Sequence, residues 1–385
     1  MKITELELFQ VPPRWQLLKV STDAGISGWG EAVVPGRAEA VAAAVREMSD
    51  WLIGRDPERI QDIWQTLFRG GFFRGGPILM SAIGGIDQAL WDIKGKAHDM
   101  PVYDLLGGAV RDRVQVYAWI GGDSPDECAQ AAQAKLAAGY TALKMVGPKD
   151  AGQLRFIDTF DKIEAMVANV AAVRAAVGPS IGLGVDFHGV AHKGMAKVLA
   201  RELEPLHPLF IEEPLLPEHS EALREIAQST STPIATGERM YSRWDFKRVL
   251  QDGYVDIVQP DVVHAGGISE VSKIAAMAEA YDVALAPHCP LGPVAFAASI
   301  QIDAAMPNAF IQEQVVGVDD IVNGLGLKYL IEPSAFALKD GYVSIPTGPG
   351  LGITVNEDAV RQAAAIGHHW RVSLCRNEDG TVAEW

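Results

Sequence analysis

Four acidic residues and one histidine recur at nearly equal intervals in the second half of the chain. Each of them ends a short apolar run, and successive members are separated by 26, 26, 23 and 27 residues. They are Asp186, Glu212, Glu238, Asp261 and His288. One strand, one loop and one returning helix need about that many residues, so the interval predicts a repeated βα unit. Polar groups at the same end of successive parallel strands would converge on one mouth.

Short apolar runs alternate with alanine-rich helical stretches over 116–335, which indicates a parallel α/β architecture. A doubly wound sheet and a closed barrel both alternate in this way. A doubly wound sheet collects its ligand groups at one switch point, whereas nearly every predicted strand here ends in an ionisable residue. We therefore predict a (β/α)7β-type TIM barrel that opens at 114–120 and closes with an eighth strand at 310–314.

The pattern of residues 1–115 is different and predicts an α+β capping domain. Apolar and polar residues alternate over 3–10 and 16–34, as in a small antiparallel meander. Residues 336–385 lose the period of the barrel, and we expect this C-terminal segment to return to the capping domain. Helical spacing of apolar residues predicts helices in the first domain at 37–53, 57–68 and 77–98.

The composition excludes several classes of protein. A chain of 385 residues with 48% hydrophobic residues is long enough for a barrel and an accessory domain. Its net charge of −16 argues against nucleic acid or an anionic membrane as the main partner, because both need clustered lysine and arginine. No segment has the pattern of a signal peptide or of a membrane span. Cys128, Cys289 and Cys375 are widely spaced and typical of reduced thiols, so we expect a cytoplasmic protein.

Asp186, Glu212 and Glu238 end three successive predicted strands, so their carboxylates can approach one point. Three carboxylate oxygens suit a hard cation such as Mg²⁺, which keeps further positions for water and a substrate oxygen. The alternative is three solvated or helix-capping acids, but the regular spacing and the apolar approaches favour a metal site. Glu213 should face away from Glu212 by strand alternation and have a structural role.

Two histidines are predicted at the same mouth. His188 lies two residues after Asp186, and side chains at i and i+2 of a strand share a face. His288 ends the seventh predicted strand beside Asp261, whose carboxylate would orient the imidazole and make it a stronger base. Each histidine alone could equally be a structural imidazole with a polar partner. Strands three and seven of an eight-stranded ring lie opposite one another, so the two imidazoles would flank whatever the metal holds.

A divalent cation between two opposed acid/base groups suits the removal of a weakly acidic proton next to a carboxylate. The resulting enediolate carries two negative charges on oxygen, which a metal and nearby donors offset better than water does. Glu313, on the eighth predicted strand, would donate a hydrogen bond to the same carboxylate if it were held protonated. A salt-bridged structural role for Glu313 is the alternative.

The chain resembles the enolase superfamily, in its mandelate racemase-like branch, along its full length. The motifs that carry the resemblance are VPPRW at 11–15, GWGE at 28–31, FRGGPILMSAIGGIDQALWDIKGKA at 73–97, DFHG at 186–189, FIEEP at 210–214, GERM at 237–240, QPD at 259–261, HAGGI at 264–268 and LAPHCPLGP at 285–293. The resemblance implies a Mg²⁺ cofactor held by Asp186, Glu212 and Glu238, a small sugar acid as substrate, and a homo-oligomer.

By the same resemblance the protein would be a lyase that removes water from an aldonate. His288 with Asp261 would take the C2 proton, and His188 would protonate the departing 3-hydroxyl. Glu313 would stabilise the enediolate. Two alternatives stay open: a racemase or epimerase that uses both histidines as bases, and a barrel without catalytic activity.

Three stretches depart from the family pattern. Racemases of this branch present a Lys-x-Lys pair on the second barrel strand, whereas this chain has Lys144, Met145 and Val146. We therefore expect no lysine base at the second of these positions. The loop sequences at 147–160 and about 315–345 also differ, which leaves the identity of the sugar acid open.

Residues of the first domain are candidates for covering the mouth. Arg14, Trp15, Phe73 and Arg74 lie on predicted loops, and Arg14 and Arg74 are candidate substrate contacts together with Lys144 of the second barrel strand. The alternative is that the two arginines pack one domain against the other.

Overall fold

The computed structural model describes residues 1–147, 156–315, 326–377 and 379–384. The two loops whose sequences depart from the family pattern lie partly outside these residues, so their contact with substrate stays a prediction. Among the described residues, no helix is both long and apolar enough to cross a membrane.

A three-stranded antiparallel sheet and a layer of helices form the first part of the chain. The strands are β1 (Ile3–Val11), β2 (Trp15–Thr22) and β3 (Ser27–Glu31), paired in that order. The helices are α1 (Ala38–Ser49), α2 (Ile60–Arg69), α3 (Gly76–Ala97) and the short α4 (Val102–Leu105). The predicted meander and its three following helices are confirmed.

Helix α3 packs closely on strand β3 because glycines meet at the contact. A Cβ atom on Gly30 would lie 1.9 Å from the carbonyl oxygen of Gly85, and one on Gly28 would lie 2.1 Å from that of Ala89. Any side chain at these positions would push the helix away from the sheet. The glycines of the GWGE motif are thus explained by the close packing of α3 on β3.

The predicted opening strand at 114–120 is in fact two strands. β4 (Arg113–Gln115) pairs outside the barrel, antiparallel to a C-terminal strand, and only β5 (Ala118–Ile120) joins the barrel sheet. The single strand that the apolar run predicts is therefore wrong in extent. The residues before Val116 pair with the C-terminal strand, and those after it pair with the next barrel strand. This change of partner divides the apolar run into two strands.

The barrel is a parallel sheet that closes on itself. Its remaining strands, in sheet order after β5, are β6 (Ala142–Val146), β7 (Gly182–Asp186), β8 (Phe210–Glu212), β9 (Ile234–Thr236), β10 (Ile257–Val258) and β11 (Ala284–Leu285). The segment 309–312 completes the ring through single parallel bridges. Gln312 pairs with Val116, and Ala309 pairs with Leu285. The predicted (β/α)7β-type barrel is confirmed.

Helices return the chain between successive strands. They are α5 (Pro125–Ala137), α6 (Phe160–Val177), α7 (Lys193–Leu203), α8 (Leu223–Ala227), α9 (Arg243–Asp252), α10 (Ile268–Glu279) and α11 (Pro293–Ala305). Helix α5 begins with a capping box, in which Ser124 and Glu127 satisfy each other's backbone N–H groups. Every residue of α11 is buried, and at its first turn the carboxylate of Glu31 of β3 accepts from the Gly292 N–H at 2.9 Å.

The C-terminal segment contacts both parts of the molecule. Its elements are β12 (Leu338–Lys339), β13 (Tyr342–Ser344) and α12 (Glu357–Ile366). Helix α12 lies on the first sheet, where Glu357 pairs with Lys19 at 2.7 Å and Arg361 pairs with Glu7 at 2.9 Å. Strand β13, however, pairs with β4 and not with the first sheet. The domain limits at 115/116 and 335/336 stay a prediction.

One buried acid makes the stability of the fold depend on pH. Asp303 of α11 is 1% exposed, and neither of its carboxylate oxygens has a hydrogen-bond partner among the described residues. Burial raises the pKa of Asp303 to about 8, although the charge of Arg111 opposes the rise. An acid whose pKa is raised in the folded state loses its contribution to stability as the pH rises through that value.

We expect Asp303→Asn to raise the free energy of unfolding at pH 8 by about 1 to 3 kcal/mol, because the amide carries no charge. At pH 4 the variant and the wild type should differ little. Urea unfolding at the two pH values measures both, with the exposed neighbour Asp112→Asn as a control. An effect that is larger at pH 4 than at pH 8 would contradict this account.

Candidate active site

A cavity of about 460 Å³ lies between the capping domain and the carboxyl ends of the barrel strands. Three parts of the chain contribute to its walls. The lining residues are Arg14, Val34, Pro35 and Pro77 of the capping domain, Trp119, Val146, His188, Glu238, Arg239, Tyr241, His264, His288, Pro290 and Leu291 of the barrel, and Trp370 and Val372 of the C-terminal segment. The cavity therefore exists only when all three parts are folded together.

Three carboxylates converge beside this cavity. Asp186 and Glu212 are the last residues of β7 and β8 and face each other in the parallel register, and Glu238 lies two residues beyond β9. Each offers one oxygen, and the three oxygens lie within 4.8 Å of one another. All three residues are buried. The convergence that the spacing predicts is thus present.

Two of the three carboxylates have raised pKa values, whereas burial raises the pKa of Asp186 but the effect of His188 outweighs that of burial and lowers it. Lys144 Nζ donates to Glu212 Oε1, and Gln259 Nε2 donates to Glu212 Oε2 at 2.7 Å. Burial nevertheless raises the pKa of Glu212 to about 8, against the effect of Lys144. Burial also raises the pKa of Glu238, although His288 and His188 lower it. Three buried carboxylate oxygens this close together, two of them on groups with raised pKa values, fit a hard divalent ion.

His288 is held by Asp261 at the mouth of the barrel. Its Nδ1 donates to Asp261 Oδ2 at 2.7 Å, and its Nε2 lies 3.5 Å from Glu238 Oε2. Burial lowers the pKa of His288, but Glu313, Asp261 and Glu238 raise it, to about 10. The imidazole of His288 is therefore protonated as long as no cation offsets the negative charge of these carboxylates. A cation beside Glu238 would lower the pKa of His288 again.

His188 also faces the cavity, but not as a strand residue. Strand β7 ends at Asp186, and His188 has a left-handed backbone with φ of 54°. Strand alternation therefore predicts correctly that His188 faces the cavity, but for the wrong reason. The turn lets both the backbone N–H and the ring of His188 reach Asp186, at 2.6 Å and 3.0 Å. Burial lowers the pKa of His188, but Asp186 raises it, to about 9.

Glu213 and Arg239 hold this turn from behind. Arg239 donates through Nε and Nη2 to Glu213 Oε2 at 3.1 and 2.6 Å, and through Nη2 to the carbonyl oxygen of His188 at 3.3 Å. The carbonyl of Glu213 accepts from the Gly189 N–H at 2.7 Å. Glu213 thus has the structural surroundings that strand alternation predicts, and Arg239 is a residue that we did not predict individually. It belongs to the GERM motif, which was the available signal.

Glu313 is an acceptor in a buried ion pair. Its carboxylate accepts from Lys144 Nζ at 2.8 Å, from Trp119 Nε1 at 2.7 Å and from the Cys289 N–H at 2.8 Å. Burial raises the pKa of Glu313, but Lys144 and His288 lower it by more, so the group is ionised. This geometry corresponds to the salt-bridged alternative, and its role towards an enediolate stays a prediction. Trp119 was not predicted, because no sequence pattern links it to Glu313.

The candidate substrate contacts are not all near the cavity. Arg14 lines it, with Nη2 3.3 Å from the carbonyl oxygen of Pro290 and its guanidinium over the ring of Trp370. Arg74 is exposed, lies over the ring of Phe68, and is not among the lining residues. Lys144 is fully buried beneath the acids and is not a lining residue either.

Models of two families match the chain. The model described as "Mandelate racemase / muconate lactonizing enzyme, N-terminal domain" matches residues 13–107, and the one described as "Enolase C-terminal domain-like" matches residues 127–359. The chain therefore belongs to the enolase superfamily, in the mandelate racemase branch.

Curated relatives and solved structures agree with that assignment. The chain is 54% identical to the D-galactonate dehydratases of Ralstonia pickettii and Pectobacterium atrosepticum, over 100% of this chain and of each relative. Among solved structures, an enolase from Agrobacterium radiobacter with bound sodium and L-malate is 33% identical, with a TM-score of 0.90 and 100% of both chains covered. A member of the enolase superfamily from Salmonella Typhimurium is 30% identical, with a TM-score of 0.87, and 94% of this chain and 98% of that chain are covered.

We expect a divalent cation to raise the melting temperature of metal-stripped protein. A cation at one hundred times its Kd stabilises the folded state by about 2.7 kcal/mol, which corresponds to a few degrees for a chain of this size. Glu212→Gln should remove most of the shift, whereas the exposed Glu221→Gln should retain it. Thermal denaturation with and without each cation measures the effect, and an equal shift in both variants would rule out the acidic cluster as the site.

Proposed function

We propose that this protein is a Mg²⁺-dependent hydro-lyase that removes water from D-galactonate to give the 2-keto-3-deoxy acid. The observation that supports it best is the pair of imidazoles at one cavity, His288 bonded to Asp261 and His188 bonded to Asp186, beside the acidic cluster. The choice of D-galactonate rests on the names of relatives that are 50–54% identical over the full chain. A small sugar acid is the class of substrate that follows from the dehydratase assignment.

We assign Asp186, Glu212 and Glu238 as the ligands of Mg²⁺. A ligand set of carboxylate oxygens favours a hard ion over the softer metals that select nitrogen or sulfur. When bound, the ion would supply positive charge that offsets the negative charge developing on the substrate carboxylate.

Two proton transfers account for the chemistry. His288 takes the C2 proton through Nε2, because Asp261 occupies Nδ1. The electron pair of the broken C–H bond becomes the C1–C2 double bond of an enediolate. The electron pair of that double bond then forms a C2–C3 double bond as the C3–O bond breaks, and His188 gives its proton to the leaving hydroxyl, which departs as water. The enol that remains tautomerises to the 2-keto acid, so the aldonate has lost one molecule of water.

An epimerase is the second candidate, because it would use the same two imidazoles as bases on opposite faces of C2. It predicts inversion at C2 without a 2-keto product. Incubation with Mg²⁺ and a panel of aldonates and aldarates in D₂O separates the candidates through 2-keto-3-deoxy acid formation and C2 deuteration. A barrel without activity would bind the ion and incorporate no deuterium. The cytoplasmic location and the homo-oligomer stay predictions.

His288→Asn should lower dehydration of D-galactonate by at least about 100-fold, because loss of a general base costs this much or more. Exchange of the C2 proton with D₂O should fall by the same factor, since the base acts before the elimination. His207→Asn is a suitable control, because His207 is exposed and has a left-handed backbone that asparagine tolerates. Exchange at the wild-type rate in His288→Asn would remove His288 as the base.

His188→Asn should behave differently, because the acid acts after the C2 proton has left. We expect elimination to fall by about 100-fold or more while part of the C2 exchange is retained. His192→Asn is the matched control: His192 caps α7 by accepting from the Gly194 N–H, and asparagine is also a good N-cap. Unimpaired elimination in His188→Asn would refute its role as the acid.

A further inference from the structure

One face of helix α3 contacts the loop that follows Asp261, the partner of His288. The helix residues Ser81, Asp87 and Trp91 are six and four positions apart, and steps of three or four residues connect them along one side of the helix. The loop comprises residues 262–269 and includes the HAGGI motif. The contacts are Ser81 Oγ to His264 Nδ1 at 2.9 Å, Asp87 Oδ2 to the Ser269 N–H at 2.9 Å, and Trp91 Nε1 to Ser269 Oγ at 2.9 Å.

Close backbone packing joins the same two elements. A Cβ atom on Gly84 would lie 2.1 Å from the carbonyl oxygen of Val263, so no side chain fits at this position. Gly84 is three residues after Ser81 and three before Asp87, on the face that carries the polar contacts. Ser81 and Gly84 of the capping domain therefore contact the loop at His264 and Val263, next to Asp261, whereas Asp87 and Trp91 contact its far end at Ser269.

The loop in turn fixes the carboxylate of Asp261. The backbone N–H groups of Val263 and His264 donate to Asp261 Oδ1 at 2.7 and 3.1 Å. With Oδ1 held in this way, Oδ2 is directed at His288 Nδ1 at 2.7 Å. The ring of His264 lies beside the carboxylate, with Nε2 3.9 Å from Oδ2. His264 thus supports Asp261 through its backbone and reaches the capping helix through its side chain.

His264 is itself unsuited to be a second base. Burial lowers its pKa and the charge of His288 lowers it further, although Asp261 opposes both effects. The ring is therefore neutral, and its Nδ1 is occupied by Ser81. His264 also lines the cavity, so contact with substrate is the competing role that an experiment must separate.

We propose that His264 is a positioning residue for the Asp261–His288 pair, held in place by Ser81 of the capping helix. The inference rests on the proposed function, because it concerns the group that takes the C2 proton. Through this contact, docking of the capping domain sets the geometry of the base. His288 Nε2 is then directed correctly at the substrate only when the capping domain and the barrel have assembled the cavity.

Three variants test the inference through a split between kcat and KM. Ser81→Ala and His264→Leu should each lower kcat for D-galactonate about tenfold, which corresponds to about 1.4 kcal/mol for the loss of one positioning hydrogen bond. KM should change less than about threefold. His264→Asn should recover most of kcat, since its amide lies where Nδ1 was and can still meet Ser81.

Ser269→Ala is the matched control, because it removes a buried hydroxyl from the same contact without touching His264. It should retain kcat within about twofold, even if it melts at a lower temperature. A wild-type kcat in Ser81→Ala would overturn the proposal. So would a raised KM with an unchanged kcat in His264→Leu, which would make His264 a substrate contact.

A second readout does not depend on turnover. The His288 Nδ1 proton, bonded to a carboxylate, should give a low-field proton NMR resonance that His288→Asn abolishes. The resonance should move to higher field in Ser81→Ala and His264→Leu and stay in place in Ser269→Ala. If the wild type does not dehydrate D-galactonate but the resonance moves, the proposed function fails and the positioning role stands. If the wild type dehydrates it and neither kcat nor the resonance changes, the positioning role fails alone.

Discussion

Mutual repulsion among three buried carboxylates is the constraint on which the rest of the site depends. At an effective dielectric constant of about 20, two unit charges within 4.8 Å of each other repel by at least about 3.5 kcal/mol. Lys144 and Gln259 direct donors at Glu212, and Arg239 lies 3.7 Å from Glu238. Burial still keeps the pKa of Glu212 far above its usual range. The cluster is therefore arranged for a positive charge that these side chains do not fully supply.

The two imidazoles at the cavity differ in what holds them. His288 is bonded to Asp261, which is fixed by two backbone N–H groups of its own loop and lies outside the acidic cluster. His188 is bonded to Asp186, which is a member of that cluster. The ring of His288 is thus oriented by a carboxylate outside the acidic cluster, although its Nε2 lies 3.5 Å from Glu238, whereas the ring of His188 is oriented by a member of the cluster itself. This asymmetry agrees with different roles for the two rings in the proposed elimination.

The capping domain does more than cover the barrel. It contributes Arg14 and apolar residues to the cavity, and its helix α3 contacts the loop that supports Asp261. Glycines at the contacts let the backbones approach, so the two parts meet in one fixed arrangement. Trp370 of the C-terminal segment also lines the cavity, with the guanidinium of Arg14 over its ring. A site made from three distant parts of the chain requires the complete fold.

The sequence by itself determined the barrel, its capping domain and the convergence of the acidic residues with His288. It could do so because parallel strands of regular length bring their ends to one mouth, and a regular geometry leaves a period in the sequence. Only the tertiary structure decided the left-handed turn at His188, the burial of Lys144 between Glu212 and Glu313, and the contact of Ser81 with His264. These features depend on segments that meet only after folding. Such contacts have no period, because each is set by local packing and not by the repeat.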